Sequence, residues 1–133
     1  MIVVDTSAML CVLLRQPGWE AYDAAIRAQP AILAGLAQGE TVEGLEQALG
    51  PQARAVYNAY VAEAGIELQR FSKKAAAACA NAWQRYGNGA MPGGLTLAQA
   101  MSFALARTLK APLLYCGTIY DHTPARRVEV AAG

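Results

Sequence analysis

The opening Ile2-Val3-Val4-Asp5-Thr6-Ser7 constrains this chain more than any other segment, because an unbroken β-branched run meets an acid and two hydroxyl residues. A run that is apolar at every position, with no alternation, is the pattern of a strand covered on both faces. Asp, Thr and Ser are side chains that cap helices. The first strand is therefore predicted to end at Asp5 and to lead into a helix, the beginning of an α/β fold with a parallel sheet. Residues 8–14 are apolar on every side, so this helix must be buried or covered by a partner, and Gln16-Pro17-Gly18 stops it.

The same alternation continues. Trp19, Tyr22 and Ile26 fall at helical spacing within residues 19–28, and Pro30 leads into a short strand over 31–33. A third helix is predicted from about Ala37 to Leu49, closed by Gly50, and Pro51 opens a fourth whose Val56, Tyr57, Tyr60, Val61 and Ala64 make one apolar stripe. Residues 66–71 alternate strictly, which predicts a strand with one face more exposed than the other. Ser72 caps a fifth helix over 73–86 that carries Cys79, Trp83 and Tyr86 on one side, and 87–94 is a glycine-rich loop. Thr96 caps a sixth helix reaching about Leu109, a strand follows over 111–115, and 126–130 is a candidate last strand. Strands separated by helices predict one domain over 1–133, with a mostly parallel central sheet flanked by helices on both sides.

Composition narrows the function classes. With 55% hydrophobic and 16% charged residues the chain is not a disordered one, and no apolar run reaches the roughly 20 residues of a bilayer-spanning helix, so no membrane partner is expected. The amino terminus has neither a basic region nor a small-residue cleavage site, which places the protein in the cytoplasm. Three widely spaced cysteines, Cys11, Cys79 and Cys116, suit buried thiols better than a disulfide framework or a zinc site. Eleven Lys and Arg against ten Asp and Glu give no overall field for polyanions. Nucleic-acid binding would need a local patch, and the candidates are Arg70 with Lys73 and Lys74, or Arg126 with Arg127. His122 is the sole histidine and has no neighbouring nucleophile, so it is a surface residue, and no glycine-rich phosphate loop is present.

Ligands of open parallel sheets bind beyond the carboxyl ends of the strands. Four acids stand near such places: Asp5, Glu40, Glu43 and Asp121. Asp5 ends an apolar strand, where a carboxylate needs either a metal or hydrogen-bond donors; it serves as a metal ligand or simply as a helix cap. Glu40 and Glu43 lie three apart and share a helix face, so either could approach Asp5, or both could belong to a solvated acidic face.

The opening Met1-Ile2-Val3-Val4-Asp5-Thr6-Ser7-Ala8, Glu40, Tyr86-Gly87-Asn88-Gly89 with Pro92-Gly93-Gly94-Leu95, and Ala104-Leu105-Ala106 with Ala111-Pro112-Leu113-Leu114-Tyr115 together resemble PIN-domain proteins of the VapC toxin type. The resemblance spans nearly the whole chain. It implies a PIN-like α/β/α sandwich in which three or four acids bind Mg²⁺ or Mn²⁺, and a toxin that cuts RNA unless held by a cognate antitoxin. By resemblance, Asp5 and Glu40 are two of those acids. Where the family reads Leu-Asn-Phe-Gly-Asp this chain has Leu95-Thr96-Leu97-Ala98-Gln99, and where the family reads Gly-Asp-Asp-Phe it has Gly117-Thr118-Ile119-Tyr120. Gln99 and Thr118 thus stand at acidic positions, and Asp121 is the candidate substitute ligand beside Asp5 and Glu40.

Losing carboxylates weakens the attraction for a divalent ion and the activation of its water. The expected function is a VapC-like protein of a toxin-antitoxin type with weak or lost metal-dependent endoribonuclease activity, and with an antitoxin or a second copy as partner. Two alternatives remain: an active Mg²⁺-dependent endoribonuclease, in which Asp5 and Glu40 hold the metal while Gln99 and Thr118 orient water, and a non-catalytic interaction module.

Overall fold

The computed structural model describes residues 1–130. Strand β1 (Ile2–Val4) is followed by α1 (Thr6–Leu13), α2 (Trp19–Arg27), β2 (Ala31–Leu33), α3 (Gly35–Leu49), a 3-10 turn (Gly50–Gln52), α4 (Ala53–Ala64), β3 (Glu67–Leu68), α5 (Lys73–Tyr86), α6 (Leu97–Leu109) and β4 (Leu113–Leu114). The sheet is parallel throughout, in the order β3-β2-β1-β4, with helices flanking it. This is the α/β sandwich expected from the alternation of elements.

The reason for the unbroken apolar run at the amino terminus is now plain. β1 pairs on both edges, with Ile2 to Val4 opposite Ala31 to Leu33 on one side and Val3 and Val4 opposite Leu113 and Leu114 on the other. All three of its side chains have no exposure, so each removes about 1.5–3 kcal/mol worth of apolar surface from water. Helix α6 lies against β1 and α5, and buries Ala100 to Ala106 without a break. Helices α1 and α3 cross where Gly44 leaves room for Leu10; a methyl there would lie 2.9 Å from Leu10 Cδ1.

Several boundaries differ from expectation, among them the strand predicted over 111–115, which is trimmed to Leu113–Leu114. α1 starts at Thr6, two residues early, because Asp5 already supplies the cap. α3 begins at Gly35. The strand expected over 66–71 shrinks to Glu67–Leu68 at the sheet edge: the Gln69 N–H still donates to the Leu33 carbonyl at 3.0 Å, but its side-chain oxygen accepts from the Gly35 N–H at 2.9 Å and its carbonyl accepts from the Gln38 amide at 3.0 Å, and pairing goes no further. Strict alternation is not realised there, for Ile66 is buried while Leu68 and Phe71 are exposed. The last strand is reduced to one parallel bridge, Leu113 with Arg127, held by Leu113 N–H to the Arg126 carbonyl and Val128 N–H to the Leu113 carbonyl. Cys11 and Cys79 are buried as expected, whereas Cys116 is half-buried.

No helix among the described residues is long and apolar enough to cross a membrane.

Candidate functional site

The strand order sets where a site can form. From β1 the chain steps outward to β2 and β3, then returns to place β4 on the other flank of β1. The reversal falls between β1 and β4, and the crevice beyond their carboxyl ends is where parallel sheets bind ligands. Asp5 follows β1 into this crevice, and the Asp5 N–H donates to the Leu114 carbonyl at 2.9 Å, locking the two strand ends together.

Asp5 is 2% exposed. Its extended backbone and short side chain make it the N-cap of α1: Oδ2 accepts from the Ser7 N–H at 3.0 Å and from the Ser7 hydroxyl at 2.6 Å. The Ser7 hydroxyl in turn accepts from the Cys116 N–H at 3.0 Å, so one serine ties the cap to the segment after β4. The other oxygen, Oδ1, accepts from the Tyr120 hydroxyl at 2.5 Å. Tyr120 is wholly buried, its ring tilted against Tyr115 with centroids 4.9 Å apart, and its hydroxyl also lies 3.4 Å from the Gln99 carbonyl. Burial above all holds the Tyr120 hydroxyl protonated, raising its pKa, and the charge of Asp5 and its hydrogen bond raise it further; the Glu40 charge adds to this. Tyr120 is therefore fixed as a donor.

Glu40 sits on α3 one turn before Gly44, on the side of the helix that meets α1, and is half-buried. Its charge is one of those that raise the Tyr120 pKa. Glu43 is exposed.

The remaining residues named from the sequence are engaged elsewhere. The Gln99 side chain closes a capping box with Thr96: Oε1 accepts from the Thr96 N–H at 2.8 Å, and the Gln99 N–H donates to the Thr96 hydroxyl at 3.2 Å. This reciprocal bond is a helix-start device, and only the Gln99 carbonyl faces Tyr120. Thr118 is exposed, in the turn after β4. Asp121 accepts from the Tyr115 hydroxyl at 2.7 Å and lies 3.7 Å from Arg127, which also donates to the Tyr115 carbonyl and stacks over its ring at 4.2 Å. Arg127 is thus engaged with Tyr115, and Arg126 donates to the Lys110 carbonyl. His122 is exposed.

A divalent cation does not fit this donor set. Among the described residues no three His, Cys, Asp or Glu side chains converge. A carboxylate offers roughly four lone-pair positions; Asp5 has three filled by protein donors, two on Oδ2 from Ser7 and one on Oδ1 from Tyr120. Hydroxyl donors at both oxygens supply the compensation that a buried carboxylate requires, and they do so without a metal.

Ser7 and Tyr120 were not singled out from the sequence. Ser7 was legible only as one of several capping residues, and Tyr120 only as an aromatic in the place of the family's phenylalanine, where the added hydroxyl is the signal.

A central parallel sheet closed by capped helices, with an acid at the end of its first strand, defines a class in which residues 2–125 match the PIN domain. The chain belongs to the PIN domain family. It is 29% identical to VapC ribonuclease Mb0640 of Mycobacterium bovis over 97% of this chain and 99% of that protein. It is also 29% identical to a Ribonuclease VapC of Mycolicibacterium smegmatis, over 96% of this chain and all of that protein. The crystal structure of VapC20 of Mycobacterium tuberculosis, described as a sarcin-ricin loop cleaving toxin, superposes with a TM-score of 0.78 at 14% identity, covering 96% of this chain and 98% of that one. These similarities bear out the VapC-type resemblance and the fold.

Proposed function

We propose that this protein is a VapC-like PIN-domain member of a toxin-antitoxin type whose metal-dependent endoribonuclease activity is weak or lost, and which retains the fold and the surface for an antitoxin or a second copy. The observation that carries this is the state of Asp5: both of its oxygens are taken by protein donors, while Gln99 and Thr118 occupy positions where the family has acids. A two-metal or one-metal hydrolysis needs negative charge to hold the ion and to lower the pKa of its water, and among the described residues no three acidic, His or Cys side chains converge to supply it. The candidate roles of Asp5, Glu40, Gln99, Thr118 and Asp121 in metal binding and water orientation follow from the resemblance, and the hydrogen bonds of Gln99 and Asp121 speak against them.

A second reading is favoured by one fact: Glu40 makes no side-chain hydrogen bond among the described residues, so it is available to hold hydrated Mg²⁺ or Mn²⁺ with water filling the other positions. The deciding experiment incubates wild type and Glu40→Gln with structured RNA in Mg²⁺ and in Mn²⁺. The expected result is no cleavage above background by either. Metal-dependent cleavage by the wild type that disappears in Glu40→Gln would establish the active, reduced site instead.

A further inference from the structure

We propose that the Tyr120 hydroxyl has taken the charge-compensating place at Asp5 that a cation would hold, turning Asp5 from a candidate ligand into a structural residue of the closed crevice. This rests on the reading of a site without metal-dependent hydrolysis, and it names the group responsible. Three observations carry it. Asp5 is 2% exposed and Tyr120 wholly so enclosed that neither has bulk water as an alternative partner. The hydroxyl reaches Oδ1 at 2.5 Å, the distance of a charge-assisted bond, while Ser7 fills Oδ2. Finally, the bond is one of two that join the amino-terminal strand end to the segment after β4, the other running through Ser7 to the Cys116 N–H.

A neutral donor and a cation compete to compensate the charge of the same oxygen. With the hydroxyl present, an ion at Oδ1 would have to share an oxygen that a buried phenol already compensates. With the hydroxyl absent, Oδ1 is a buried, uncompensated carboxylate oxygen, and an entering ion relieves that cost. The substitution that separates these states is Tyr120→Phe, which keeps the ring and its packing against Tyr115.

The test is thermal melting and calorimetric titration of Mn²⁺ on the full chain, as wild type and as Tyr120→Phe. The expected result is a melting temperature lower by about 5 °C in Tyr120→Phe, the scale of one lost buried hydrogen bond in a chain of this size, together with Mn²⁺ affinity higher by at least roughly tenfold. Equal melting temperatures or equal Mn²⁺ affinities in the two proteins would overturn the proposal. RNA cleavage by the wild type would instead remove the inactive-site reading, so the two failures are distinguishable. Should Tyr120→Phe fail to fold, the wild type alone carries the test by proton NMR: a slowly exchanging phenolic resonance that persists in millimolar Mg²⁺ supports the proposal, and its loss on adding Mg²⁺ overturns it.

Discussion

Replacing the strand-end acid of a metal-dependent nuclease is the usual way to abolish activity, and in this protein Asp5→Ala is predicted to cost stability first. The change removes the side-chain cap of α1, worth about 1 kcal/mol. It also strips the wholly buried Tyr120 hydroxyl of its acceptor, which costs about 1–3 kcal/mol when no substitute exists. A substitute does exist, for the Gln99 carbonyl stands 3.4 Å away, so the lower part of that range applies. The two contributions share a site and are not strictly additive. A total of about 2–3 kcal/mol follows, equivalent to a fall in melting temperature of roughly 10 °C at this chain length. Urea unfolding followed by tryptophan fluorescence measures it directly, since Trp19 and Trp83 are both half-buried and report from different helices. An unchanged m-value with a lower midpoint is the expected form of the result. A loss below about 0.5 kcal/mol would refute the claim that Asp5 is held by its cap and its tyrosine. An inactive Asp5→Ala variant, by itself, therefore says nothing about catalysis here, which is why Glu40→Gln is the better probe of RNA cleavage.

Three further outcomes are expected. In α3, Gly39→Ala meets nothing within 4 Å and should stabilise the protein by about 0.5–1 kcal/mol through helix propensity, whereas Gly44→Ala, 2.9 Å from Leu10, should lose that gain to crowding; chemical denaturation compares the pair. Asp23 accepts from the Tyr60 hydroxyl at 2.7 Å and from Arg27 at 2.9 Å. Burial opposes its ionisation, but these donors prevail and hold its pKa below the ordinary carboxylate value. Its contribution is thus fully present above about pH 3.9 and lost as the pH falls through the lower folded value, so a Tyr60→Phe deficit of about 1.5 kcal/mol at neutral pH should shrink at acid pH in melts across a pH series. Burial, with Cys116 as neighbour, pushes the Cys11 thiol up to about 11, so alkylation of native protein at pH 8 should label half-buried Cys116 and reach Cys11 only on unfolding, as peptide mass mapping would show.

The parts of this fold that local chemistry dictates were legible in the sequence. Ile2 to Val4 had no polar position to turn toward water, so a central strand followed, and Asp5 could only stand at its end. Ser72 and Thr96 cap the helices they were expected to cap. Boundaries failed where a tertiary partner decided the outcome: the side chain and carbonyl of Gln69 are taken by Gly35 and Gln38, groups more than thirty residues away, and no pattern in 66–71 announces that. The candidate site followed the same division. The position of Asp5 at the sheet edge was readable from the apolar run before it, and its pairing with Glu40 was an expectation from the resemblance, but the capture of Asp5 by Tyr120 is a contact between residues 115 apart, invisible to any periodicity. Gln99 shows the two levels together: its spacing of three from Thr96 is a capping-box spacing, and its side chain is used in that way.

The two bonds that seal the crevice, Tyr120 to Asp5 and Cys116 to Ser7, span sequence separations of 115 and 109 residues. Contacts of such range close only after loop entropy has been overcome, and during synthesis Cys116 and Tyr120 leave the ribosome long after the residues they bond. The first strand and its helix must wait, with Asp5 capped but its second oxygen still hydrated, until Tyr120 has emerged. Maturation of this corner is therefore coupled to the synthesis of residues 116–120, and a product truncated before them would carry the acid without the phenol that closes over it.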